Sequence, residues 1–108
     1  MQPDRPVYIY IISESSNGPV KIGYAQDCEK RLSAIRVGHP DPYGYLWVCF
    51  KIEFPNVEAA RFAEWALHDQ FEPRNIHGEW FNLTEEEAIA GTITTLRAHE
   101  VLVLHGTN

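Results

Sequence analysis

The chain's 108 residues, 44% of them hydrophobic and 22% charged, suffice for one compact domain and not for two. Three Trp, five Tyr and five Phe can furnish a modest core without disulfides or a structural metal. Fifteen acidic against nine basic residues leave a net charge of -6, which argues against nucleic-acid binding through bulk charge, and no window nears the roughly 20 apolar residues of a membrane helix.

Residues 7–13, VYIYIIS, are β-branched and aromatic, and VKIGY begins at Val20 after the segment SESSNGP. The pattern predicts a β-hairpin. Asn17-Gly18 would suit a two-residue turn, but Pro19 lacks the N–H that closes one. A four-residue loop is expected instead, with Ser13 facing Gly18 and Tyr10 facing Lys21. Asp27 then caps a helix to about Val37, with Leu32 and Ile35 inward, and GHPDP stops it. YLWVCFKIEF reads as a strand partly covered on both faces. Pro55-Asn56 opens a second helix that sets Ala60, Glu64, Leu67, His68 and Phe71 on one side. A carboxylate on that side needs a reason. After PRNIHG, EWFNL looks extended, and Thr84 with Glu87 makes a capping-box start for a third helix to about His99. The tail VLVL adds a strand or packs as coil. No repeat, low-complexity tract or linker interrupts the run, so residues 1–108 are read as a single domain with its core at about 7–90.

Cys28 and Cys49 are too few for a disulfide framework and too far apart for a CxxC knuckle, and are read as free. The start MQPDRPV lacks a basic region followed by an apolar stretch, so a soluble cytoplasmic protein is expected. The acidity is concentrated late: residues 75–108 hold five Glu against one Arg.

Certain residues recur in a recognisable order: Tyr8-Ile9-Tyr10, ten residues, Lys21-Ile22-Gly23, seven more, Arg31-Leu32, then Glu64-x-x-Leu67-His68 and Gly78-Glu79-Trp80-Phe81. This set resembles the GIY-YIG nuclease superfamily, and within it the branch typified by the phage T5 open-reading-frame 172 domain, whose second signature reads KIG. The resemblance covers residues 7 to about 90. It implies an α+β fold with a small ββαβα core, a three-stranded antiparallel sheet flanked by helices, followed here by the C-terminal helix. It also implies phosphodiester hydrolysis with one divalent metal ion, Mg²⁺ or Mn²⁺. Tyr8 stands where the first signature has glycine, and Ile35 where some relatives have a histidine.

Cleaving a phosphodiester takes a nucleophilic water, a base for its proton, positive charge for the developing anion and usually a metal on the phosphate. Tyr10, at the signature tyrosine position, is the base candidate. A phenol needs a cation to act at neutral pH, and Lys21, expected across the strand, is the candidate for that role. The alternative is an ordinary strand aromatic beside a solvated lysine. Arg31 matches the family's arginine, and its planar fork suits a phosphate; the alternative is a surface pair with Asp27. Glu64 is the metal candidate, since Mg²⁺ needs only one or two carboxylates besides water and substrate phosphate; the alternative is pairing with Arg61 or His68. His68 can bond Glu64 or a phosphate, or simply pack. Trp80 and Phe81 are expected to pack on the sheet, with Glu79 in support. Asn75 and Asn82 are available near the site, neither at a convincing spacing.

Two functional classes follow. One is a metal-dependent endonuclease acting on DNA, or on RNA, in which Arg36, Lys51, Arg61 and Arg74 touch backbone phosphates. The other is a non-cleaving nucleic-acid or protein-interaction module on the same fold, favoured by the acidic balance. Formation of a homodimer would offset the shortage of positive charge by presenting two basic faces.

Overall fold

The computed structural model of the chain describes residues 5–38 and 46–99. The VLVL tail, and Tyr45 at the head of the third strand, lie outside these. Strands β1 (Val7–Ser13) and β2 (Val20–Ala25) form the antiparallel hairpin. Its register differs from the expected one. Ser13 faces Val20, Ile12 faces Lys21 and Tyr10 faces Gly23, so the loop has six residues, 14–19. The extra length is used in a local turn and a docking contact. The Gly18 N–H bonds the Ser15 carbonyl, and the Ser15 hydroxyl bonds the Gly18 carbonyl. Gly18, at φ +85, lies so tightly on the Leu83 carbonyl that a Cβ there would come within 2.0 Å of it. The Glu85 N–H also donates to the Ser16 carbonyl. Tertiary packing, not local turn preference, sets the pairing.

Helix α1 (Cys28–Gly38) starts where expected, the Asp27 carboxylate accepting from the Lys30 N–H at 3.0 Å. Strand β3 (Trp47–Phe54) returns beside β1. Asn56 caps α2 (Val57–Gln70) by accepting from the Ala59 N–H, and Thr84 and Glu87 close the capping box of α3 (Glu85–Ala98). Between them a 3-10 turn at Glu72–Arg74 leads into two very short strands, β4 (Asn75–His77) and β5 (Trp80–Phe81). The sheet therefore has five antiparallel strands in the order β3-β1-β2-β5-β4, where three were expected. Strands of three and two residues are too short to show a period. Their turn relies on Gly78 at φ +55 and on the Asn75 side chain, which donates to the Gly78 and Trp80 carbonyls.

Alternation along β1 gives the molecule its layers. Val7, Ile9 and Ile11, with Val20 and Ile22 of β2, face α2 and α3 and pack on Ala60, Ala63, Leu67, Phe81, Ala88 and Leu96. Tyr10 and Ile12 face the other way, onto Cys28 and Leu32 of α1 and Leu46. The sheet thus lies between α1 on one side and α2 with α3 on the other. Cys28 and Cys49 are free, and no described helix is long and apolar enough to cross a membrane.

Candidate nuclease site

The sheet has a notch where β5 stops short. β5 pairs with β2 only at Val20 and Lys21, and the Ile22 N–H ends the ladder on the Glu79 carbonyl at 3.0 Å. Gly23 is the next residue, and two side chains occupy the space above it. A Cβ at position 23 would lie 2.6 Å from Tyr10 Oη and 2.7 Å from Glu79 Oε1. Directly opposed residues project to the same face, so the phenol of Tyr10 reaches over its β2 partner toward the open edge.

The guanidinium of Arg31, one turn into α1, acts on the Tyr10 hydroxyl and favours its ionised form. Lys21 pairs instead with Glu79, at 3.1 Å, and its Nζ stands 5.8 Å from the centroid of the Trp80 ring. The expected opposition of Tyr10 and Lys21 is thus replaced: the cation on the phenol is Arg31, and Lys21 neutralises the neighbouring carboxylate. Glu79 Oε1 is buried, held by that ion pair and by no hydrogen bond of good geometry.

Glu64 and His68 approach from the opposite layer. They lie half-buried on α2, where His68 reaches β2. His68 Nε2 donates to the Ile22 carbonyl at 2.8 Å, and its ring meets Phe81 edge-on at 5.0 Å. That nitrogen is committed to holding β2. The Glu64 carboxyl is pushed above its ordinary range, first by burial and then by the charge of Glu79, against the pull of His68 and Lys21. Tyr10 in turn is pushed up to about 12. Burial is the main cause, Arg31 opposes it, and Glu79 and Glu64 add to it. Phenol and carboxyl start on opposite faces of the sheet and are electrostatically coupled around its edge.

Of the sequence candidates, Tyr10 and Arg31 thus come together beside Gly23, Lys21 reaches the same place through Glu79, and Glu64 is coupled to Tyr10 and Glu79 from the other layer, while His68 braces β2. Glu79, expected only in support, stands at the centre. Gly78 beside it and the glycine of KIG were the signals, because the first permits the turn that aims Glu79 and the second leaves room for it. The basic residues proposed for phosphate contacts are more scattered. Arg36 donates to the Leu46 carbonyl at 2.8 Å, Arg74 pairs with Glu87 at 3.1 Å and Lys51 covers the Tyr8 ring at 4.8 Å. Arg61 is exposed on α2. Asn75 is spent on its turn, and Asn82 is exposed.

The profile of the T5orf172 domain matches residues 7–95, from the first residue of β1 into the last turns of α3. The chain belongs to the T5orf172 domain family. Comparisons with curated proteins and with solved structures gave no match. T5orf172 domains are nuclease-associated, so a nuclease-like or DNA-binding module is the coarse reading of this one. Among its described residues no three His, Cys, Asp or Glu side chains form a metal cage. The adjoining carboxyls of Glu64 and Glu79, one with a buried oxygen lacking a hydrogen bond, nonetheless fit a hard divalent ion of the Mg²⁺ type, which takes one or two carboxylates and keeps several waters.

Proposed function

We propose that this T5orf172 domain is a metal-dependent endonuclease that hydrolyses phosphodiester bonds in DNA. One observation carries the reading: the Tyr10 phenol and the Glu79 carboxylate meet over Gly23, with the Arg31 guanidinium acting on the phenol and the Glu64 carboxyl coupled to both. In hydrolysis, water oxygen bonds to phosphorus as the bond to the leaving oxygen breaks, and the water proton must be removed. Tyr10 takes that proton as the phenolate, with Arg31 as the cation that favours its ionised form. The remaining donors of the Arg31 fork meet a non-bridging phosphate oxygen, where negative charge grows. A divalent ion held by Glu64, with Glu79 beside it, would add positive charge to the phosphate and help the phenol ionise. Lys21 keeps Glu79 from repelling the phosphate, and His68 keeps the β2 edge in place for Gly23.

A second reading is favoured by the same phenol. With its pKa pushed up to about 12, Tyr10 carries its proton at neutral pH and can donate it to a phosphate oxygen in a binding module that does not cleave. Incubating supercoiled plasmid with Mg²⁺ or Mn²⁺ separates the two. Nicking by the wild type, lost in both Tyr10→Phe and Glu64→Ala, is the expected result. Folded wild-type protein that leaves DNA and RNA intact would overturn the nuclease reading.

A further inference from the structure

Beside the site lies a cleft of about 470 Å³ lined by Arg5, Ala25, Gln26, Asp27, Lys30, Arg31 and Ala34. It brings together three cations and one anion in a chain whose net charge is -6. The anion is already engaged, since Asp27 Oδ1 accepts from the Lys30 N–H at the start of α1. Arg5 and Lys30 are exposed. Neither belongs to the convergence at Gly23, and neither stood out in the sequence, Arg5 preceding the first strand and Lys30 falling on the outer side of α1. Arg31 borders both places, with the Tyr10 hydroxyl on one side and the cleft on the other.

We infer that this cleft is a binding subsite for a backbone phosphate of a nucleic-acid strand, next to the phosphate held over Gly23, with Arg5 and Lys30 as its ligands. The inference rests on the nuclease reading for its strand and goes beyond it in naming where the neighbouring phosphate sits. Among the residues that line this solvent-open hollow, three cations meet one anion, the capped Asp27, and a polyanion threading past Arg31 supplies more negative charge. Contacts of this sort fix register without reading sequence.

The test is binding of a fluorescein-labelled DNA duplex in EDTA, followed by anisotropy from low to moderate salt. The proteins are wild type, Arg5→Ala, Lys30→Ala, the double variant, and Arg97→Ala as a charge-matched control on the last turn of α3. Removing one cation that neutralises a phosphate should reduce the salt slope by about 0.9 for a duplex. The double variant should therefore show a slope smaller by close to two and bind at least tenfold more weakly at low salt, while Arg97→Ala follows the wild type. Circular dichroism melts of these exposed-site variants confirm that they remain folded. If the wild type binds and nicks DNA while the double variant keeps wild-type slope and affinity, the subsite is overturned and the nuclease reading stands. If the wild type binds but does not nick and the double variant has the reduced slope, the subsite stands and the nuclease reading falls. A wild type that binds no DNA overturns both.

Discussion

The Tyr10 hydroxyl occupies the volume that a side chain on Gly23 would need, 2.6 Å from where that Cβ would lie. The glycine is the floor of the site, not a flexible joint. Gly23→Ala should push both the phenol and the Glu79 carboxylate aside. Overpacking of this kind costs about 1–3 kcal/mol, and a displacement of the reacting groups near 1 Å costs on the order of a hundredfold in rate. In a double-mutant cycle, Tyr10→Phe should return part of the lost stability, because it removes the oxygen that the methyl strikes. Purely additive stabilities would show that the two residues do not share the space.

Alkali should expose the burial of Tyr10. Its folded pKa, about 12, lies above the ordinary value near 10. The folded state therefore holds this proton more tightly, and the stability it confers is complete below pH 10 and is lost as pH rises from there through about 12. Two pKa units correspond to roughly 2–3 kcal/mol. Urea melts between pH 8 and 11.5 should fall more steeply for wild type than for Tyr10→Phe, and equal slopes would contradict the buried phenol.

Glu64 should trade stability against activity. Burial and the Glu79 charge raise its pKa, so its favourable contribution exists below the ordinary carboxyl range and is lost as pH climbs through its folded value. At neutral pH in EDTA, Glu64→Gln should melt at a higher temperature than wild type, with the gain vanishing toward pH 4. The same change should abolish nicking. A variant both less stable and inactive would mark Glu64 as a structural residue.

A second glycine substitution tests the α2–α3 layer away from the proposed chemistry. Replacing Gly91 by Ala improves helix propensity by up to about 1 kcal/mol, but its Cβ would sit 2.6 Å from Phe71 Cζ. That ring is buried against Phe81 at 6.2 Å and cannot swing away. Overpacking at about 1–3 kcal/mol should win. Gly91→Ala is expected to melt lower while nicking at wild-type rate well below the transition.

Helices were legible from their ends. Asp27, Asn56 and the Thr84/Glu87 box are local chemistry, and each stands within a residue of the helix it was expected to start. The hairpin register was not, because it depends on a loop docked against Leu83, more than sixty residues further along. The β4–β5 ribbon is too brief for a periodic signal. Within the site, Tyr10, Arg31 and Glu64 could be chosen by residue type and order. Their actual partners could not, since Lys21 on Glu79 and Arg31 on Tyr10 follow from a two-residue shift of pairing that changes which cation meets which anion.

The brevity of β5 governs whether this surface can admit a substrate. Two more residues on that ribbon would carry hydrogen bonding along β2 past Ile22, seal the margin over Gly23 and separate the groups arriving from the two helical layers. If the nuclease proposal holds, its chemistry hangs on an unfinished strand, and insertions at Gly78-Glu79 should abolish nicking while leaving the interior undisturbed.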